Sequence, residues 1–415
     1  MNKTKKNTRG ITLIALVITI IVLLILAGVT IAALSGDNGI LTRAKEAKKK
    51  TEQANQEELD VLDEYEQNLN QYVDGRNVNL KNINKADTNT TEAMPENVRV
   101  LEDDANKGII INDKNNNEWV WVEVPKTIVF SGLTIDTTKE LTEQNYEDIK
   151  NKLITYATTY REGELGQGRY WTDEWYNGCG MTSDEYIAAY QKMLKSIYTY
   201  GGFWIGRYEA GIEGSIDDVS KARTSHSTVT VGTSPKAISQ KDAIPYNFIY
   251  CSEAQALAKE MTPNSKYTSS LMFGIQWDLV CKYLEVKGGL SVADINSNST
   301  SWGNYNNVTR TITSDKAKQS IDYGSTWKVI TGTKPASSVL LTAGASEETN
   351  KMNIYDLAGN EWEWTLEKTS DSNNPCANRG GDCNTTGSKD PASDRSSNGT
   401  TDSYGIIGFR CVLYK

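Results

Sequence analysis

A single histidine, His226, occurs in the 415 residues. Zinc and iron sites built on several imidazoles are therefore excluded. A Ser-His-Asp triad has only this one candidate, and it sits in the Ser/Thr-rich run 224–230, which reads as a solvated loop. Positive charge is also short. The chain holds 44 Lys and Arg against 53 Asp and Glu, a net charge of −9, so the basic footprint of nucleic-acid binding is missing. Phenylalanine is scarce, with 5 against 21 Tyr and 10 Trp. An aromatic set with polar handles suits half-exposed surfaces. None of the six cysteines forms a CxxC. Cys376 and Cys383 lie seven apart in a Gly/Asn-rich stretch and can bridge outside the cytoplasm, but the spacing assigns no pairing. Cys281 and Cys411 lie in apolar stretches and read as buried thiols.

The N-terminus carries the one long apolar run. Ile11 to Leu34 is 24 residues without a formal charge, 16 of them Ile, Leu or Val. At roughly −0.3 to −0.6 kcal/mol each, these favour membrane insertion by about 5–10 kcal/mol. About 20 apolar residues span a hydrocarbon core. Lys3, Lys5, Lys6 and Arg9 should hold the head in the cytoplasm and send the remainder outside. Beyond the span, Leu59, Leu62, Tyr65, Leu69 and Tyr72 recur on one helical face. This predicts a helical stalk over 35–75, ending at Asp74-Gly75. A linker and first strand follow over 76–116.

The junction Arg9-Gly10-Ile11-Thr12 resembles a type IV prepilin signal, in which the leader is cut after the Gly. The resemblance implies a leader over 1–10, cleavage between Gly10 and Ile11 by a prepilin peptidase, and a retained membrane helix over 11–34. Ala15 stands where pilins carry a Glu used in subunit assembly, so membrane retention is expected rather than filament incorporation. A plain signal anchor, or a secretory signal cut near Ala32-Ala33-Leu34, remains open.

The rest of the chain reads as one large α+β domain over 117–415. Trp119 to Pro125 and Gly201 to Gly211 read as strands, and Ser252 to Met261 as a helix. Four ordered motifs stand out: Gly206-Arg207-Tyr208-Glu209, Asp356-Leu357-Ala358-Gly359-Asn360-Glu361-Trp362-Glu363-Trp364, Arg379-Gly380-Gly381 and Gly408-Phe409-Arg410. Gln276-Trp277-Asp278 fits between the first two. This pattern resembles the formylglycine-generating enzymes, whose domain is a variant of the C-type lectin fold.

What that resemblance implies for chemistry is uneven. The oxidases of the family hold copper through two Cys five residues apart after the R-G-G motif. Here Cys383 is followed five residues on by Ser388, so no copper is expected, because Cu(I) needs both thiolates. Iron-dependent relatives use several His. The expectation is therefore a protein that is not an enzyme; an oxidase of the formylglycine-generating type and a structural pilin-like subunit are the alternatives. Relatives can hold Ca²⁺ near the late motif, which would use Asn360 and Glu363; the other reading is that both fix a loop by hydrogen bonds. Trp362 and Trp364 read as core, and Arg207, Glu209 and Arg410 as charges paired inside the fold.

The segment 379–410 runs between two motif corners and is filled with small polar residues plus Tyr, as in a paratope. It resembles the hypervariable segment that the variable proteins of diversity-generating retroelements carry on this fold. A non-varying binding loop is the other reading. Either way the expected ligand-binding residues are Asp382, Cys383, Asn384, Thr385, Lys389, Asp394, Ser396, Ser397, Asp402, Tyr404 and Ile406, with side chains directed into solvent. The expected protein is surface-displayed, anchored by its N-terminal helix in the cell membrane. Its expected partner is an unidentified protein or surface ligand, and no nucleic acid.

Overall fold

In the computed structural model the described residues are 16–26, 48–51, 90–161, 171–262 and 264–415. The chain divides into two units, Met1–Leu69 and Asn70–Lys415. In the first, residues 16–26 and 48–51 are helical. No helix among the described residues is long and apolar enough to cross a membrane. The helical run at 16–26 covers the middle of the apolar stretch. The Gly10–Ile11 junction, the ends of that stretch and most of the expected stalk lie outside the described residues.

The second unit is built on strands β1 (Arg99–Glu102), β2 (Ile110–Asn112), β3 (Glu118–Glu123), β4 (Trp171–Thr172), β5 (Gly202–Gly206), β6 (Thr268–Leu271), β7 (Trp362–Thr369), β8 (Cys376–Arg379), β9 (Arg395–Asn398), β10 (Ile407–Phe409) and β11 (Cys411–Tyr414). Its longer helices are α1 (Glu143–Tyr156), α2 (Ser183–Tyr200), α3 (Cys251–Glu260) and α4 (Gly274–Lys287). The first sheet has the order β1-β2-β3-β5-β11-β6 and is antiparallel throughout. The last strand of the chain thus lies between β5 and β6, so the domain closes only when its C-terminus is in place. The second sheet runs β9-β8-β7-β10, with β4 also on β7. The β7–β10 pair is parallel, and among the described residues β9 is paired only with β8.

Local chemistry explains several boundaries. Thr142 and Thr182 open α1 and α2 with capping boxes closed by Asn145 and Glu185. Gly201, left-handed at φ 77°, ends α2. Helix α4 is apolar on nearly every side and buries ten residues, so it runs through the core. β3 reads as alternating, yet Trp119 through Glu123 are all buried. β2 and β5 flank it, helix α4 packs against it, and Trp121 packs edge-on against Trp204 at 5.0 Å.

Residues 90–116, expected as linker and first strand, belong to the domain. Ala93, Met94 and Val98 are buried. The Trp204 indole donates to the Ala93 carbonyl and the Tyr267 hydroxyl to that of Met94, both at 2.8 Å. A second correction concerns His226. Its ring stacks on Tyr250 at 3.8 Å and its Nε2 lies 3.0 Å from a Glu253 carboxylate oxygen. Glu253 also accepts from the Val229 amide, so this loop is tied to α3 rather than freely solvated. All six cysteines are free and buried.

Candidate recognition site

The corner after β8 is made by two glycines in left-handed conformation, Gly380 (φ 99°) and Gly381 (φ 78°). A Cβ on Gly381 would collide with the Asp390 carbonyl, and one on Gly380 would press on the Trp277 ring. Only glycine fits there. The turn sends the chain inward first. Asp382 and Cys383 are buried, not solvent-facing as expected. Burial pushes the Asp382 carboxyl up to about 6, while its bond from the Asn384 amide opposes the shift. Burial also pushes the Cys383 thiol well above its ordinary value.

The chain then reaches the surface. Asn384, Ser388 and Lys389 are exposed, and Thr385 is half-buried. The Asn384 side-chain oxygen accepts from the Tyr323 hydroxyl at 3.1 Å and from the Ser338 hydroxyl at 3.0 Å. Its backbone carbonyl accepts from the Asn306 amide at 2.6 Å. Tyr323, Ser338 and Asn306 come from the stretch 306–338 and were not expected at the site. A polar surface residue carries no periodic signal that would place it beside a loop far along the chain.

The segment returns inward at Ala392 and Arg395, and the Trp277 indole donates to the Ala392 carbonyl at 3.0 Å. It emerges again on β9. Ser396 and Ser397 are half-buried on that edge strand, as are Asp394 before it and Asp402 and Ile406 after it. Asp402 closes its own turn by accepting from the Gly399 amide at 2.8 Å. Tyr404 is 48 % exposed and Tyr323 42 %. Gly405 lies against the Tyr323 backbone with no room for a Cβ. Tyr323 therefore bridges the two outward stretches, around Asn384 and around Tyr404, into one patch.

Beneath β9 lies a balanced charge cluster. Arg379 bonds Asp278 at 2.8 Å and Glu367 at 2.9 Å. Arg395 reaches the same two carboxylates at 2.9 and 3.2 Å. Arg161 bonds Asp173 at 2.9 Å, Glu367 at 3.1 Å and Asp278 at 3.2 Å. Asp173 in turn accepts the first amides of α4. Although burial raises it, the three guanidiniums hold the Glu367 carboxyl down at about 2. Arg395, which lies within the segment 379–410 but not among its expected ligand-binding residues, is thus part of the frame.

Residues 84–415 match the sulfatase-modifying factor enzyme 1-like domain family. The chain belongs to that family. No curated protein matches it. Among solved structures, one described as CarF is 12% identical over 52% of this chain and 88% of its own, with a TM-score of 0.30. A variable protein 1 of Treponema denticola is 13% identical over 53% of this chain and 89% of its own, with a TM-score of 0.28.

The family's late motif is a network of internal bonds here. The Asn360 amide donates to Glu209 at 2.6 Å and to the Leu341 carbonyl at 3.2 Å. Its oxygen accepts from Asn304 at 2.9 Å and from the Leu341 amide at 3.0 Å. Both Glu363 oxygens accept from Arg410, at 2.8 to 3.1 Å. Both lone pairs of the Asn360 oxygen and three of the roughly four of Glu363 are used inside the fold, which leaves too little for a Ca²⁺ ion that wants 6–8 oxygens. The residues do not fit that metal, and their loop-fixing role accounts for them. Trp362 and Trp364 are buried, in keeping with a core role. Arg207 pairs with Glu118 at 2.6 Å, whereas Glu209 is bonded to Asn360 rather than to an arginine. The copper donor set does not fit either: Cys383 is buried, and exposed Ser388 stands where a second thiolate is needed.

Proposed function

We propose that this chain is a binding protein and that the patch formed by Asn384, Thr385, Lys389, Tyr323, Tyr404 and the polar edge from Ser396 to Asp402 is its recognition surface. The observation that carries this reading is the division of labour within one segment. Asp382, Cys383, Ala392 and Arg395 are buried, while Asn384, Thr385, Ser388 and Lys389 between them are polar and exposed or half-buried, and Asn384 is bonded to Tyr323 and Ser338. Tyrosine offers rigid contact area at low entropic cost, and Asn, Ser and Thr offer adaptable hydrogen bonds. The absence of a fitting donor set for copper favours binding over oxidation. The exposed apolar side chains of 16–26, Leu16 through Leu26, need lipid or protein cover. They support anchoring in a membrane, and the basic residues Lys3, Lys5, Lys6 and Arg9 ahead of them favour a domain outside the cytoplasm.

The test is comparative binding. Purified domain should bind a component of intact-cell or host surfaces spotted as an array. A variant carrying Asn384→Ala, Lys389→Ala and Tyr404→Ala should lose that binding at unchanged melting temperature. Equal binding by the variant would overturn the assignment, and turnover of a thiol peptide with added copper would replace it with oxidase activity. The retroelement reading has its own test at the gene. A near-copy of the 3′ end beside a reverse transcriptase gene should differ at adenines in codons for 384–389 and 396–404, and leave codons 391, 392 and 395 unchanged.

A further inference from the structure

A cavity of about 270 Å³ opens between α1, α2 and residues 173–175. None of its lining residues belongs to 379–410 or to the recognition patch. It is smaller than the roughly 300–1,000 Å³ of drug-sized sites, so it suits a group of a few heavy atoms. Two helix faces build it. Glu143, Tyr146 and Glu147 recur at helical spacing on α1, and Tyr186, Tyr190 and Leu194 on α2. The aromatic wall is fixed by its own packing. Tyr186 and Tyr190 stack at 6.4 Å, and they meet Phe273 edge-on at 5.3 and 5.0 Å. The Tyr186 hydroxyl donates to the Leu366 carbonyl at 3.1 Å. Trp175 also lines the cavity and is 38 % exposed. Its indole nitrogen donates to the Met181 carbonyl at 2.9 Å, which holds the ring in place.

The lining is also negative. Glu143, Glu147, Asp173 and Glu174 stand against one cation, Lys150. Lys150 bonds Glu147 at 3.1 Å, and Asp173 is bonded to Arg161 and the first amides of α4. The other two carboxylates are less compensated. Glu143 accepts from the neutral Gln191 amide at 3.0 Å. Glu174 is 67 % exposed, with the Lys368 ammonium 3.9 Å away. We propose that this cavity is a second binding site, which takes an organic ammonium group against the Trp175 and Tyr190 rings, with Glu143 and Glu174 supplying the counter-charge. Aromatic faces attract a cation through their quadrupole, and the carboxylates add Coulombic attraction. A neutral group of the same shape gains the rings but not the charges, and an anion is repelled by the acids. The ammonium can be that of a free alkylamine or of a lysine side chain on a partner protein.

The experiment titrates the full chain with n-butylammonium, with neutral n-butanol, and with a short peptide carrying one lysine or, in its control, norleucine. Calorimetry reads the binding. At least one of the two cations should saturate the protein, and its neutral counterpart should not. Tighter binding of the lysine peptide than of n-butylammonium assigns the site to a partner protein; the reverse order assigns it to a free amine. Trp175→Ala should weaken cation binding about tenfold. Glu174→Gln should weaken it about threefold and flatten its dependence on salt. Glu174 is exposed, so this second variant keeps the fold. The variant carrying Asn384→Ala, Lys389→Ala and Tyr404→Ala should bind the cation as the parent does, which separates this site from the recognition patch. No saturation by either cation would overturn the proposal. So would equal binding of the neutral probes, unchanged affinity in both pocket variants, or loss of cation binding in the patch variant.

Discussion

Two buried charge clusters lie in this domain and are built on opposite balances. Under β9, three arginines face three carboxylates, and every carboxylate is bonded to at least one guanidinium. Around the late motif, Glu209, Asp356 and Glu363 share Arg410, and the charged neighbours of Glu361 are carboxylates. In the first, attraction outweighs burial at Glu367, which three guanidiniums hold at about 2, while burial still raises Asp173, which has one. In the second, burial wins. The carboxyls of Glu209 and Glu361 are pushed well above their ordinary value, first by desolvation and then by neighbouring carboxylates. Neither oxygen of Glu361 has a hydrogen-bond partner. The lesson is that a buried acid is defined by its count of partners, not by its depth.

The largest break should come from unbalancing the first cluster. Glu367→Gln leaves Arg379, Arg395 and Arg161 under-compensated at full burial and should cost about 3–5 kcal/mol in urea unfolding. The mirror change in the second cluster should have the opposite sign. Glu361→Gln removes a charge that burial opposes, so it should stabilise the chain by about 1–2 kcal/mol at pH 7.5, with the gain shrinking at pH 5.

Acidity sharpens the same contrast. Asp382, beside Glu361, has a folded value of about 6 against 3.8 unfolded. A raised carboxyl stabilises the fold below its unfolded value, and that contribution is lost as pH rises through its folded value. Lowering the pH from 7.5 to 5 should therefore raise stability by about 1 kcal/mol from this group, with Glu209 and Glu361 adding in the same direction. Glu367 acts the other way, its contribution present above about 4.5 and lost as pH falls towards 2. Melting temperature should peak near pH 5 and fall below pH 4; a monotonic rise to pH 8 would contradict the acid-heavy assignment. The smallest effect belongs to the surface. Asn384→Ala and Tyr404→Ala should each change stability by no more than about 0.5 kcal/mol, measured by thermal melting.

Much of the frame could be read in advance, because backbone and burial constraints leave marks in local sequence. The R-G-G corner and the alternating Trp-Glu strand sit where the motifs imply, whereas the closing Gly408-Phe409-Arg410-Cys411 run divides between β10 and β11, in different sheets. The site was legible only in part. The polar run 382–406 looks uniform as a string of letters, yet Asp382, Cys383 and Arg395 turn inward while Asn384 and Tyr404 turn out. The short polar residues of a loop have no period to reveal which way each points. Tyr323 and Ser338, bonded to Asn384, left no trace near it in sequence.

By itself, the order of residues settled the family motifs, the shortage of imidazole and paired thiolates, and the glycines that only a tight corner tolerates. These are properties of single residues and of near neighbours, fixed by sterics and ligand chemistry. The folded chain alone decided that Arg161, Arg379 and Arg395 meet three acids, that Arg410 faces Glu209, Asp356 and Glu363, and that Asn384 meets Tyr323 and Ser338. Such pairings depend on distances between residues far apart along the chain, and those distances exist only once the strands have closed around β11.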